Sequence, residues 1–219
     1  MRHAQVAYFR PDGTPLPPDE VKLTERGRTQ AAAAADALAG IELDRVITSG
    51  LPRTLETAAI VAPGQEPELW PELREIEGGR LADIADGDLE QTFRSAFRGH
   101  QSDDRRFLGG ETIGELLDRV LPALERIVAD DGWDTALAVL HGGVNRAILS
   151  RAISGERTFL GSLEQAPACI NVLDYDGEWL ARAVNVSPYD IAHVRPRSRE
   201  TTMELYYREY LPFRERGLA

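Results

Sequence analysis

Two short apolar runs in this chain each pass through a tight turn and open at once into a helix, a pattern that limits the fold more than any other feature. In the first, Arg45-Val46-Ile47-Thr48 runs through Ser49-Gly50 into a helical stretch from about Pro52 to Val61. In the second, Ala136 to Leu140 runs through His141-Gly142-Gly143 into a stretch from about Val144 to Ile153. Proline serves at a first helical position because the N–H it lacks would be unpaired there. Around these units, Thr24 opens an alanine-rich helix that Gly40 stops. Apolar residues at helical spacing from Ile113 to Ile127 mark a long helix over about Thr112 to Asp130. Glu111, just before it, is expected to serve that helix's N-terminus. A short strand near Leu69 lies in a Pro-rich connection. Asp176-Gly177 is a hairpin turn between strands near Cys169 to Tyr175 and Trp179 to Val186. Strands alternating with helices predict a three-layer α/β/α sandwich with a mostly parallel sheet, in which ligands bind at the carboxyl ends of the strands.

The 219 residues suffice for one well-filled core, so a single domain over 1–219 is expected. A cap insertion is expected at about 80–110, where the composition turns polar and Phe93, Phe97 and Phe107 are the anchors. The tail from Ser187 reads as irregular, with a short helix around Met203 to Tyr210. A net charge of −11 argues against general affinity for nucleic acid or an anionic membrane. The longest apolar runs fall far short of a membrane span. The single cysteine, Cys169, rules out an internal disulfide framework and fits a reducing compartment, so a cytoplasmic location is expected.

Within this acidic chain, cations gather at the turns. Arg53 follows one predicted strand and His141 another, and Arg2-His3 stands at the start. Two imidazoles and two guanidiniums are what a tetrahedral phosphoryl group requires: forked donors around its oxygens and a nitrogen nucleophile in line with the leaving oxygen. Glycines at 142 and 143 let the backbone approach, and a helix N-terminus adds favourable N–H groups. A metal is not expected, because two arginines beside the histidines would repel a cation.

The ordered set Arg2-His3, Leu23-Thr24-Glu25-Arg26-Gly27, Ser49-x-x-x-Arg53-Thr54-x-Glu56-Thr57, Leu73-Arg74-Glu75 and His141-Gly142-Gly143-x-x-Arg146 resembles the histidine phosphatase superfamily. The match is to the phosphatase branch of that phosphoglycerate mutase-like group, over about residues 1 to 186. The resemblance implies the corresponding fold and hydrolysis of a small phosphomonoester through a phosphohistidine, with no cofactor. His3 would be the nucleophile, with Arg2, Arg53 and Gly142 binding the phosphoryl oxygens and His141 donating to one of them. Glu75 would be the general acid, with Glu72 and Glu77 as rivals in the same segment. Two other readings stand beside this one: a mutase that transfers phosphate within one substrate, and a phospho-ligand binding protein of the same fold. The family usually has glycine where this chain has Ala4, and an acidic residue where it has Gln5. Only Met1 precedes Arg2-His3, where the resemblance implies a full strand inside the sheet. A truncated first strand would leave its neighbours without ladder partners, so Met1 is expected to be internal, with the natural product starting upstream. An intact mass of 219 residues for protein from its source would end that idea. Selectivity is expected from the 80–110 stretch, the loop at 10–20 and the tail from Tyr189 to Arg199.

Overall fold

The computed structural model describes residues 1–10, 12, 14–191 and 201–217. In chain order its elements are α1 (Glu25–Ala37), β1 (Arg45–Thr48), α2 (Pro52–Val61), β2 (Glu68–Leu69), α3 (Asp86–Ser95), β3 (His100–Gln101), α4 (Ile113–Val128), β4 (Ala136–Val139), α5 (Gly142–Ser154), β5 (Phe159–Leu160), β6 (Ile170–Tyr175), β7 (Trp179–Val186) and α6 (Thr202–Glu215). The central sheet is parallel, in the order β2-β1-β4, with Thr48 opposite both Leu69 and Val139.

Alternation along these strands builds the layers. Val46, Leu137 and Val139 enter a core with Ala31 and Ala34 of α1 and Ala58 and Val61 of α2. The intervening Ile47, Ala138 and Leu140 face the other way, onto α4 and α5. Side chains at successive strand positions point to opposite faces, so two cores form back to back across one sheet. A third apolar cluster joins α3 to α6 through Leu89, Phe93, Met203 and Tyr210, beside the carboxyl ends of the strands.

Residues 1–3 lie along the free edge of β4. Arg2 forms a parallel bridge with Leu140, the Leu140 N–H donates to the Met1 carbonyl (2.9 Å), and the His3 N–H donates to the Leu140 carbonyl (2.8 Å). On their other side, the Arg2 N–H donates to the Cys169 carbonyl (3.1 Å). The strand is short, yet it pairs the edge of β4 at Ala138 and Leu140, where missing partners were expected.

Two local expectations are corrected. The N-terminus of α4 is capped by Thr112, which accepts from the Glu115 N–H (3.1 Å) while Glu115 accepts in return from the Thr112 N–H (2.7 Å). Glu111 instead grips Arg119 through both carboxylate oxygens (2.7 and 2.9 Å). The C-terminal helix runs past Pro212 to Glu215, beyond the expected end near Tyr210. Its last turn is held from outside, by Phe213 against Phe9 and by Arg214 on the carbonyls of Leu81 and Ile84. Such tertiary contacts outweigh the cost of an interior proline.

Candidate active site

The carboxyl ends of β1, β4 and the segment 1–3 lie side by side; Arg2 and Arg53 there line a pocket, while Ser49, His3 and His141 are buried outside its lining. Ser49 leaves β1 and Arg53 follows one turn later on α2. His141 leaves β4 as the N-cap of α5, and His3 follows the Arg2 bridge. The two imidazoles meet edge to face, with ring centroids 5.3 Å apart.

His3 is 1% exposed and its ring is oriented from behind. Nδ1 stands 2.8 Å from the Ala4 carbonyl oxygen, which can only accept, so Nδ1 carries the proton and Nε2 keeps its lone pair. Ala4 itself has ordinary backbone torsion and packs without exposure, its N–H donating to the Thr57 hydroxyl (3.1 Å). His141 is engaged on the opposite nitrogen: its Nε2 lies 2.7 Å from the Ser49 hydroxyl, which leaves Nδ1 unpartnered. Burial, followed by the charges of Arg2 and Arg53, holds the His3 pKa well below its ordinary value. Burial, then Arg53 and His3, does the same for His141. Both rings are therefore neutral near pH 7.

The guanidiniums are pinned at their outer ends. Arg2 donates to the Gln165 carbonyl (2.6 Å) and to the hydroxyls of Tyr206 (3.0 Å) and Thr202 (3.5 Å). Arg53 donates to the Pro18 carbonyl (3.1 Å) rather than to Glu56, which takes Arg28 (3.1 Å). Among the described residues, the Nε atoms of both arginines, His3 Nε2 and His141 Nδ1 are buried with no hydrogen-bond partner. Nine buried polar groups in ten are satisfied in folded proteins. Four orphans on four neighbouring cationic or basic residues mark a place built for an anion.

Glu75 reaches the same pocket. Its carboxylate accepts from the Gly143 N–H in the first turn of α5 (2.9 and 3.2 Å). A Cβ on Gly142 would come 3.2 Å from Arg146 Nη1, 3.5 Å from Glu75 Oε2 and 3.7 Å from Arg2 Nε, so glycine there leaves room for all three side chains. A Cβ on Gly143 would meet Glu75 Oε1 at 2.7 Å, which explains glycine there. Of its rivals, Glu72 is committed to Arg126 (2.6 Å) and Glu77 is exposed at the cavity's edge.

A cavity of about 760 Å³ opens from Arg2, Arg53, Glu75 and Gly142. Leu81, Phe93 and Phe107 of the 80–110 stretch line it, as do Leu16 and Pro18 of the 10–20 loop. The part of the tail at 192–199 lies outside the described residues. Sequence reasoning missed Tyr206, Thr202 and Gln165 as partners of Arg2. Arg146 was noted only within its motif. It is buried, donates to the carbonyls of Gly142 (3.0 Å) and Gly161 (2.9 Å), and pairs with Glu164 (3.3 Å). Among the described residues, no group of three or more His, Cys, Asp or Glu side chains is placed to hold a metal, and no helix is long and apolar enough to cross a membrane.

Comparison with known proteins finds relatives in sequence and in fold. The family model described as the Histidine phosphatase superfamily (branch 1) matches residues 1–186. The chain is 28% identical over 193 residues to a probable 2-carboxy-D-arabinitol-1-phosphatase of Arabidopsis thaliana, covering 86% of this chain but only 39% of that protein. It is 29% identical to a probable phosphoglycerate mutase of Salmonella paratyphi A, over 78% of this chain and 83% of that one. Among solved structures, the alpha-ribazole phosphatase of Shigella flexneri superposes with a TM-score of 0.68 at 22% identity, over 84% of this chain and 94% of that one. A mycobacterial glucosyl-3-phosphoglycerate phosphatase in complex with inorganic phosphate superposes with a TM-score of 0.69 at 22% identity, over 85% and 95% of the two chains.

Proposed function

The chain belongs to the histidine phosphatase superfamily, and from that membership and the pocket's geometry we propose that it hydrolyses a small phosphomonoester through a phosphohistidine on His3. The observation that carries the proposal is that Arg2, His3, Arg53 and His141 each keep a buried nitrogen without a hydrogen-bond partner, with the two imidazoles 5.3 Å apart and the Glu75 carboxylate held at the first turn of α5. In the first step the His3 Nε2 lone pair attacks phosphorus and the P–O bond to the alcohol breaks. Glu75 gives its proton to the departing oxygen, without which an alkoxide is a poor leaving group. In the second step water attacks phosphorus, the P–N bond breaks, and Glu75 takes the water's proton. Arg2, Arg53, the His141 Nδ1–H and the N-terminus of α5 at Gly142 hold the phosphoryl oxygens, where charge accumulates through a loose transition state. This role assigns His141 the tautomer whose Nε2 accepts from the Ser49 hydroxyl. Low histidine pKa values support the reading, since only a neutral imidazole has a lone pair to give.

Hydrolysis is favoured over transfer within one substrate because the cavity walls beyond the phosphoryl end are largely apolar. A mutase would need cations committed there to a second anionic group, whereas Arg74 and Arg80 are exposed and Arg146 is held by two carbonyls and Glu164. The resemblance to phosphatases and to a probable mutase alike is compatible with either chemistry. Rapid acid quench with a ³²P-labelled ester is expected to trap acid-labile label on the wild-type protein and none on His3→Ala, whose phosphate release falls by at least about 10⁴-fold. Tight ester binding with no label and no released phosphate would instead identify a binding protein.

A further inference from the structure

Away from the phosphoryl end, the cavity has the composition of a binding site for an uncharged ring system. Its wall is built from three separate parts of the chain: Phe9 from the first loop, Leu81, Phe93 and Phe107 from the middle stretch, and Met203 and Tyr210 from α6. Phe9, Phe93, Met203 and Tyr210 belong to a single apolar cluster, and Phe107 stacks on Phe97 with ring centroids 5.0 Å apart. Several polar tips there already have partners. The Tyr206 hydroxyl takes Arg2 (3.0 Å), the Tyr210 hydroxyl takes Arg214 (3.5 Å), and the Thr202 hydroxyl donates to Glu164 (2.7 Å).

Charged lining residues outside the phosphoryl end are two acids and two bases, Asp19, Glu77, Arg74 and Arg80, all exposed at the rim. Two acids accompany two bases, so these four add no net positive charge that would favour a second anion. Arg146 also lines the cavity, with three of its five N–H donors given to two carbonyls and Glu164. At about 760 Å³ the space is far larger than a phosphoryl group and falls in the range of pockets that enclose a whole small molecule. Apolar walls with few polar groups select by burial and shape rather than by hydrogen bonding.

Resting on the hydrolase reading above, we infer that the preferred substrate is the phosphomonoester of an uncharged aromatic or bulky apolar alcohol, whose ring system occupies the space between the middle stretch and α6. Sugar phosphates and phosphorylated carboxylic acids are disfavoured, because their hydroxyls or second anion would lose water against walls that are mainly apolar and offer few replacements.

Binding of non-hydrolysable phosphonates separates this inference from the hydrolase reading. Titration calorimetry on the wild-type protein compares (naphthalen-1-ylmethyl)phosphonate, 2,3-dihydroxypropylphosphonate and 2-carboxyethylphosphonate, which share the phosphoryl end. The naphthyl compound is expected to bind about 100-fold more tightly than either of the others, as burial of a two-ring aromatic group implies. Leu81→Asp, at a half-buried wall position, is expected to cut that ratio at least tenfold with the protein still folded by circular dichroism. Equal affinities, or tighter binding of the dihydroxypropyl or carboxyethyl compound, would overturn the inference whatever the activity. The naphthyl preference without turnover of naphthylmethyl phosphate would uphold the subsite and defeat hydrolysis alone.

Discussion

At the scale of single residues, the site depends on histidines kept neutral in a cationic setting. His3 and His141 are wholly buried beside Arg2 and Arg53, so protonating either ring costs both desolvation and repulsion. In the unfolded chain the same rings take up protons near pH 6.5. A folded pKa held below the unfolded one means that the unfolded state binds more protons in the interval between them. Stability is therefore full above about pH 6.5 and falls as the pH drops below it, by up to about 1.4 kcal/mol per pH unit for each ring. Urea denaturation at pH 7.5 and 5.5 is expected to show this loss, and the double variant His3→Gln/His141→Gln a flatter profile. A profile unchanged in the double variant would show that these rings are not the groups responsible.

At the scale of elements, α4 does more than fill a core. Its apolar face packs Leu116, Leu117 and Val120 under the sheet, while Arg119 reaches out to the segment that carries Glu75. The Arg119 guanidinium donates to the carbonyls of Glu72 (2.7 Å), Arg74 (2.6 Å) and Glu75 (3.2 Å), and Glu111 holds it in place. Arg119 is thus a positioning residue for Glu75. In pre-steady-state formation of the phosphoenzyme, Arg119→Met is expected to slow reaction of an alkyl ester about tenfold. It should scarcely affect a nitrophenyl ester, whose leaving group departs without a proton. Glu75→Gln should show the same leaving-group contrast at about 10²- to 10⁴-fold. An equal loss on both esters would mean that Arg119 acts through general stability. The arginine was invisible as a functional residue in the sequence, because one cation on the polar side of a helix looks like any other.

At the scale of the whole molecule, the pocket closes only because distant parts of the chain meet. α6 comes from the opposite end of the sequence to Arg2, and brings Tyr206 and Thr202 to its guanidinium. It also completes the apolar cluster with α3. A hydrogen bond to a charged group is worth about 1.5–3 kcal/mol. Tyr206→Phe, which keeps the ring and removes the hydroxyl, is accordingly expected to lower Tm by a few degrees and to raise KM about tenfold as Arg2 loses its support. An unaltered KM would show that the Gln165 carbonyl and the Thr202 hydroxyl suffice to hold Arg2.

Strand and helix periodicity, with turn chemistry at Ser49-Gly50 and His141-Gly142-Gly143, determined the layered parallel fold, because those signals act within a few residues. The same turns placed Arg53 and His141 at strand ends, and motif order added Arg2, His3 and Glu75 as candidates. Which carboxylate in the 72–77 segment meets the first turn of α5 was decided by tertiary packing, the Gly143 N–H donating to both oxygens of Glu75. The grip of Arg119, the supports of Arg2 from Gln165 and α6, and the apolar lining of the cavity were likewise tertiary decisions. Each joins residues far apart in the chain, and no local propensity encodes a contact whose two halves lie in different elements.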